Sequence, residues 1–302
     1  MEIILLKQIC IMFLLIAIGI LLVKKRYLSE QGGKDLGTIL LRAVIPCVIV
    51  KSYLTEYSPE RARDLAIAIA LALLALAVAI AVSYICFGTR GRIENFGAAF
   101  CNVGFIGIPL IQAVLGDGGV FYLAGFIAFL NILQWTYGVL IMTGDASAIR
   151  MKAISTNPVV ISVIIGMLIF FLRIPIPQVV TSTLSNMANL NTPLAMIILG
   201  TYLAKMDWKE IFTVKSAYFC VLVRLVVIPA ATLFVLLMIP GVKADIKKVI
   251  LIGCSTPVGS NIAIFAKQYD KDYKLSVVVV CLSTLLCVIT VPVFYMFVEK
   301  FI

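Results

Sequence analysis

The chain reads as an all-α integral membrane protein of ten transmembrane helices, and three observations lead there. Hydrophobic residues make up 62% of the 302 positions and charged residues only 13%, where a soluble domain is roughly 45–50% apolar and about 25% charged. Apolar stretches of roughly 20 residues, the length that crosses a bilayer, follow one another along the whole chain. The basic residues sit mainly in the short loops between them. A water-facing surface cannot be built from this composition, so 1–302 reads as a single membrane domain.

The spans are placed in order. The first, 3–23, is followed by Lys24, Lys25 and Arg26 and preceded by Glu2. A secretory signal has a basic leading end and a shorter apolar core, so this is a retained span. The next nine fall at 36–56, 65–87, 94–115, 119–142, 157–172, 179–204, 216–238, 246–267 and 274–298. Orientation follows from charge. Loops 24–35, 88–93, 143–156, 205–215 and 267–274 carry 14 Lys and Arg, against 7 in the opposite set. The positive-inside rule puts 143–156 in the cytoplasm and both termini outside the cell membrane.

Several function classes drop out. The net charge of +10 comes with no basic run longer than Lys24 to Arg26, so the charges read as topology signals and nucleic acid is no expected partner. There is no histidine, and all eight cysteines lie in apolar segments without a CxxC pair. Disulfides, metal sites and cofactors are therefore not expected. No mid-span carboxylate pair or nucleophile motif suggests an enzyme.

An internal duplication is the next expectation: repeats at about 1–142 and 157–302, joined by the loop 143–156. Five spans is an odd number, so two such halves are inverted. Sliding by 153 residues lays Asn102 to Pro109 (NVGFIGIP) over Ser255 to Ile262 (STPVGSNI), and Asn131 over Thr284. Both segments interrupt a span near its middle. Inside a membrane, unpaired backbone N–H and C=O groups are tolerated only where they line protein or water. Gly104 and Gly107 permit unwound geometry, Pro109 removes a helix hydrogen bond, and Asn102 offers an amide. Thr256, Pro257, Gly259, Ser260 and Asn261 do the same in the second half. Matched breaks of this kind point to a transporter binding site, because half-helix N-termini present positive dipole ends.

Substrate charge is read from the ionisable residues. Arg42 lies about 9 Å and Arg224 about 12 Å inside their spans at 1.5 Å per residue, and no Asp or Glu occupies mid-span. A net-positive cavity prefers anions, and arginine grips carboxylates bidentately. Arg42, Lys7 and Lys51 can instead snorkel to the headgroups. Asn131, Gln134 and Trp135 in the fifth span, and Ser283 and Thr284 in the tenth, are further cavity-lining candidates. The lack of an intramembrane acid or histidine points to an uncoupled uniporter or exchanger, favouring export of anions. Na+- or H+-coupled symport, and a channel or ligand sensor on the same scaffold, compete with it.

The stretch from Asn102 to Leu110 resembles the asparagine-to-proline signature in the fourth span of the auxin efflux carrier family, whose bacterial members include malate and malonate permeases. The resemblance recurs in Asn191 to Gly200 (NTPLAMIILG), in Thr256 to Tyr269 and in Leu282 to Pro292. It implies a five-plus-five inverted repeat, a scaffold and a transport domain, broken fourth and ninth helices crossing at Pro109 and Pro257, a small organic anion substrate and often a homodimer in the lipid membrane. Phe105 stands where the signature commonly has a second asparagine, and 143–156 replaces the long cytoplasmic loop of the plant carriers. Both departures point away from a plant-hormone substrate.

Overall fold

The computed structural model describes residues 2–205 and 214–301. Among them the chain is helical throughout, apart from turns and one isolated antiparallel bridge. The loop expected at 205–215 falls largely outside the described residues. The helices are α1 (Glu2–Lys24), α2 (Glu30–Ile39), α3 (Ile45–Ser52), α4 (Pro59–Phe87), α5 (Arg92–Ala99) and α6 (Ile108–Leu133). They continue as α7 (Val139–Thr143), α8 (Met151–Ser155), α9 (Pro158–Leu172), α10 (Gln178–Asn189) and α11 (Asn191–Lys205). The last five are α12 (Lys215–Leu222), α13 (Ile228–Leu237), α14 (Ala244–Cys254), α15 (Asn261–Gln268) and α16 (Tyr273–Phe301). Each apolar stretch expected to span is largely helical, and 94–115 and 246–267 are interrupted near the middle, at 100–102 and 255–260. Six helical stretches, Ile4–Lys24, Pro59–Phe87, Val103–Thr143, Gln178–Ala204, Lys215–Leu237 and Tyr273–Phe301, are long and apolar enough to cross a membrane by length and composition.

Proline explains most of the irregularity inside these helices. Pro46, Pro109 and Pro229 each follow a π-helical turn, at Leu40–Val44, Val103–Gly107 and Val223–Val227. Proline has no N–H to give and clashes with the carbonyl four residues back; widening the preceding turn moves that carbonyl aside and keeps the helix continuous. The stretch Val103–Thr143 bends at Gly116, whose φ of 66° and ψ of −163° suit glycine alone. It therefore divides near where the fourth and fifth spans were expected to meet.

The helices pack in two groups. α1, α3, α9, α10 and α11 pack among themselves, as do α4, α5, α6 and α12 to α16, with α6 and α16 touching both. On α1 the buried residues Leu5, Ile9, Met12 and Ile16 recur at helical spacing and face inward, while Ile4, Ile11, Leu14, Ile18 and Leu21 stay exposed. An apolar surface of that extent belongs in lipid.

Where α1 crosses α11, the backbones meet at Gly19 and Gly200. A Cβ on Gly200 would strike the Ile16 carbonyl and lie 2.8 Å from Gly19 Cα. Small residues let membrane helices approach this closely. Gly200→Val forces them apart at an overpacking cost of about 1–3 kcal/mol, and the melting temperature of the purified protein is expected to fall by roughly 3–10 °C. A melting curve unchanged from wild type would contradict the close crossing.

One carboxylate is buried near the start of a spanning helix, outside the acid-free middle. Asp64, in the second turn of α4, is buried, and its Oδ2 lies 2.6 Å from Lys243 Nζ. Lys243 also reaches Glu60, and these two acidic partners hold its ammonium well above the ordinary lysine range. The ion pair ties the start of α4 to the turn before α14.

Candidate functional site at the helix crossing

Two helices are interrupted, and the interruptions bind each other. After α5 the chain leaves helical geometry at Phe100 (φ −114°, ψ 116°), and Asn102 is still non-helical (φ −92°, ψ 54°). Between α14 and α15, residues 255–260 are likewise irregular. Cys101 and Val258 form the isolated antiparallel bridge. Asn102 N–H donates to Pro257 O at 2.7 Å, and Gly259 N–H donates to Phe100 O at 2.9 Å. Backbone groups that no helix can satisfy are thus paired across the break, as an apolar interior requires. Ser283 Oγ on α16 accepts from Val258 N–H at 3.1 Å and supports the strand-like stretch. Phe96 and Phe265 rings, with centroids 5.0 Å apart, clamp α5 against α15, so these two short helices leave the crossing on the same side.

A small cavity opens at the crossing. Its walls include Asn102, Val103 and Gly104 where one helix resumes, Gly259, Ser260 and Asn261 where the other resumes, Asn131 and Gln134 from the fifth expected span, and Leu41, Ile45 and Val159. Its volume is about 40 Å³, room for roughly three waters at about 10–15 Å³ each. No ionisable side chain belongs to this lining except the cysteine thiol of Cys101. The polar groups are amides and a hydroxyl. Asn261 Nδ2 donates to Gln134 Oε1 at 2.9 Å, and Asn131 Nδ2 donates to Ile127 O at 2.8 Å while its Oδ1 accepts from Asn157 at 3.3 Å. Asn102 is 5% exposed and its Nδ2 has no hydrogen-bond partner.

The expected site residues divide. Asn102, Gly104, Gly259, Ser260, Asn261 and Asn131 line the cavity. Gly107 and Pro109 do not: the break falls at 100–102, ahead of them, and Pro109 sits in the first turn of α6 behind its widened turn. Thr256 Oγ1 bonds back to Gly253 O at 2.8 Å, and Pro257 contributes only its carbonyl to the bridge. Ser283 braces Val258, and Thr284, bonded to Val280 O at 2.7 Å, faces a separate apolar pocket beside Ile9 and Met12. Arg42 is exposed on the helix surface, consistent with snorkelling.

Arg224 overturns the expectation of an arginine-lined cavity. It is fully buried, lies outside the lining, and donates through Nη1 to Ala98 O at 2.8 Å and through Nη2 to Cys254 O. Those carbonyls belong to the final turns of α5 and α14, the two helices that run into the crossing.

An all-helical membrane bundle with two interrupted helices joined at their breaks has the build of a membrane transporter. A family model described as membrane transport protein matches residues 4–156 and 146–295, and the chain belongs to that family, the auxin efflux carriers, whose signature Asn102 to Pro109 resembles. It is a transporter family and not an enzyme family. No curated protein matches the chain.

Proposed function

We propose that this protein carries small organic anions, mono- or dicarboxylates of the malate and malonate kind, across the cell membrane by alternating access, without Na+ or H+ coupling and in the direction of efflux or exchange. The observation that carries the proposal is the cavity wall. Two helical segments resume there, at Val103 and Asn261, and the first N–H groups of a helix have no carbonyl one turn back to bond. Two positive dipole ends therefore face one small space, together with the unpartnered amide of Asn102. No carboxylate lines the cavity to oppose an anion.

Alternating access is supported by size and by the packing beyond the cavity. The cavity has room for about three waters, so a dicarboxylate enters only if the walls part. Larger openings of about 560 and 370 Å³ lie farther along the same helices, lined by Tyr53, Phe170 and Arg173 and by Lys51, Arg61 and Phe121. Ile49 on α3, Val163 on α9 and Ala124 on α6, all buried, lie along their helices between those openings and the cavity. Leu41, Ile45 and Val159 come from one packed group and the crossing from the other, which fits a scaffold and a moving domain. The irregular joints at matching places support ten spans in a five-plus-five inverted repeat, and the excess of Lys and Arg in one set of loops supports both termini outside the cell; a homodimer in the lipid completes the reading.

The test is a thermal-shift screen of the purified protein against mono- and dicarboxylates, with cations and neutral solutes as controls. A ligand at 100 times its Kd adds about 2.7 kcal/mol, which shifts melting upward by about 5 °C. Stabilisation by neutral solutes or cations and by no anion would overturn the proposal. Uptake into proteoliposomes that demanded an imposed Na+ or H+ gradient would overturn its uncoupled form.

A further inference from the structure

Arg224 packs against the crossing at the ends of α5 and α14 and is not part of the cavity lining. Its guanidinium carries a permanent charge, yet its side chain is 0% exposed and among the described residues no carboxylate pairs with it. Its acceptors are instead backbone carbonyls at two helix ends: Ala98 O, one residue before the end of α5, and Cys254 O, the last residue of α14. The last carbonyls of a helix lack N–H partners, and each helix C-terminus carries roughly half a negative charge. Two such ends brought together sum to about one negative charge, which one guanidinium balances. The planar fork supplies two donors in fixed geometry, which a lysine cannot. Arg224 reaches this point from the π-helical turn Val223–Val227, and Cys254 is further held by Thr232 through a 3.3 Å Sγ contact with its Oγ1.

We infer that Arg224 is a tethered counter-cation: it fills the place between the two negative helix ends that a free monovalent cation would otherwise occupy, and so holds the crossing closed without an ion from solution. Arg224 touches no substrate; it is a positioning residue that acts through Ala98 and Cys254. The inference rests on the carrier assignment and deepens its uncoupled form, but it does not depend on the substrate being an anion.

The experiment uses the full-length purified protein without substrate, so it is independent of the anion screen. Melting temperatures are compared for wild type, Arg224→Lys, Arg224→Gln and Arg224→Ala, each titrated with millimolar methylguanidinium, Na+ or choline at constant ionic strength. The expected order is wild type above the lysine variant, and the lysine variant several degrees above glutamine, because glutamine keeps a donor and loses the charge. Methylguanidinium is expected to raise the alanine variant toward wild type, while choline does not and wild type responds to neither. If the alanine variant is recovered only when purified in methylguanidinium, that is the same rescue. Equal melting of the lysine and glutamine variants would show that charge plays no part and overturn the inference. So would an alanine variant that methylguanidinium leaves unmoved, or a wild-type protein that Na+ stabilises specifically over choline.

Discussion

Gly259→Val is expected to give the most destabilised single variant of the crossing. A Cβ at this position would sit 3.1 Å from the Cys101 carbonyl oxygen and 3.3 Å from that of Phe100. Alanine needs its neighbours to yield by a few tenths of an ångström; a branched side chain pushes the two strand-like segments apart. The Gly259 to Phe100 and Asn102 to Pro257 hydrogen bonds then fail together. A buried backbone group left unpaired costs about 1–3 kcal/mol, and the surrounding helices admit little water to replace the lost partners. The expected loss is on the order of 3–6 kcal/mol, read as a collapse of the melting transition or as failure to recover monodisperse protein. Gly259→Ala should fall between. A valine variant that melts within a degree or so of wild type would mean that the bridge contributes little to the fold.

Asn102→Leu should behave in the opposite way, keeping the fold and losing the ligand. The Asn102 side chain is buried and its Nδ2 bonds to nothing in the protein, so an apolar residue of similar shape removes an unsatisfied donor and leaves stability near wild type. A hydrogen bond to a charged partner is worth about 1.5–3 kcal/mol. Affinity for a stabilising carboxylate is therefore expected to drop by roughly 10- to 150-fold, measured as the concentration needed for half the thermal shift. Malonate and malate are suitable probes. An Asn102→Leu protein that binds them as tightly as wild type would remove Asn102 from the site, while one that fails to fold would assign it a structural role.

The helices were legible because lipid imposes a single demand, a long apolar run, that local composition meets directly. Breaks at both ends of the crossing were legible too, through Gly104, Gly259 and Pro257. Their limits were less so. Pro109 reads as the breaker, yet a widened turn at Val103–Gly107 absorbs it, and the chain departs from helix earlier, at Phe100 to Asn102. Nothing local marks those residues, because what stabilises their extended backbone is a partner segment far along the chain. Arg224 was misplaced for the same reason. Depth within its span suggested a ligand-facing charge, but its acceptors lie 126 and 30 residues away. Leu41, Ile45 and Val159 carry no signal in the sequence, since an apolar cavity wall and an apolar core use the same residues. Asp64 falls just before the expected start of its span, because the helix extends back to Pro59.

The bridge between Cys101 and Val258 joins residues far apart in the order of synthesis. When the segment around Phe100 enters the membrane, the backbone that completes it, Pro257 to Gly259, has not been made. At about 5–20 residues per second the wait is roughly 10–30 s, during which the Asn102 N–H and the Phe100 carbonyl have no native partner in an apolar medium. Until Pro257 to Gly259 are made, the first half of the chain lacks the partner for this stretch of backbone. A truncated product would expose that stretch to quality control, and two halves made separately in one cell would each carry what the other lacks.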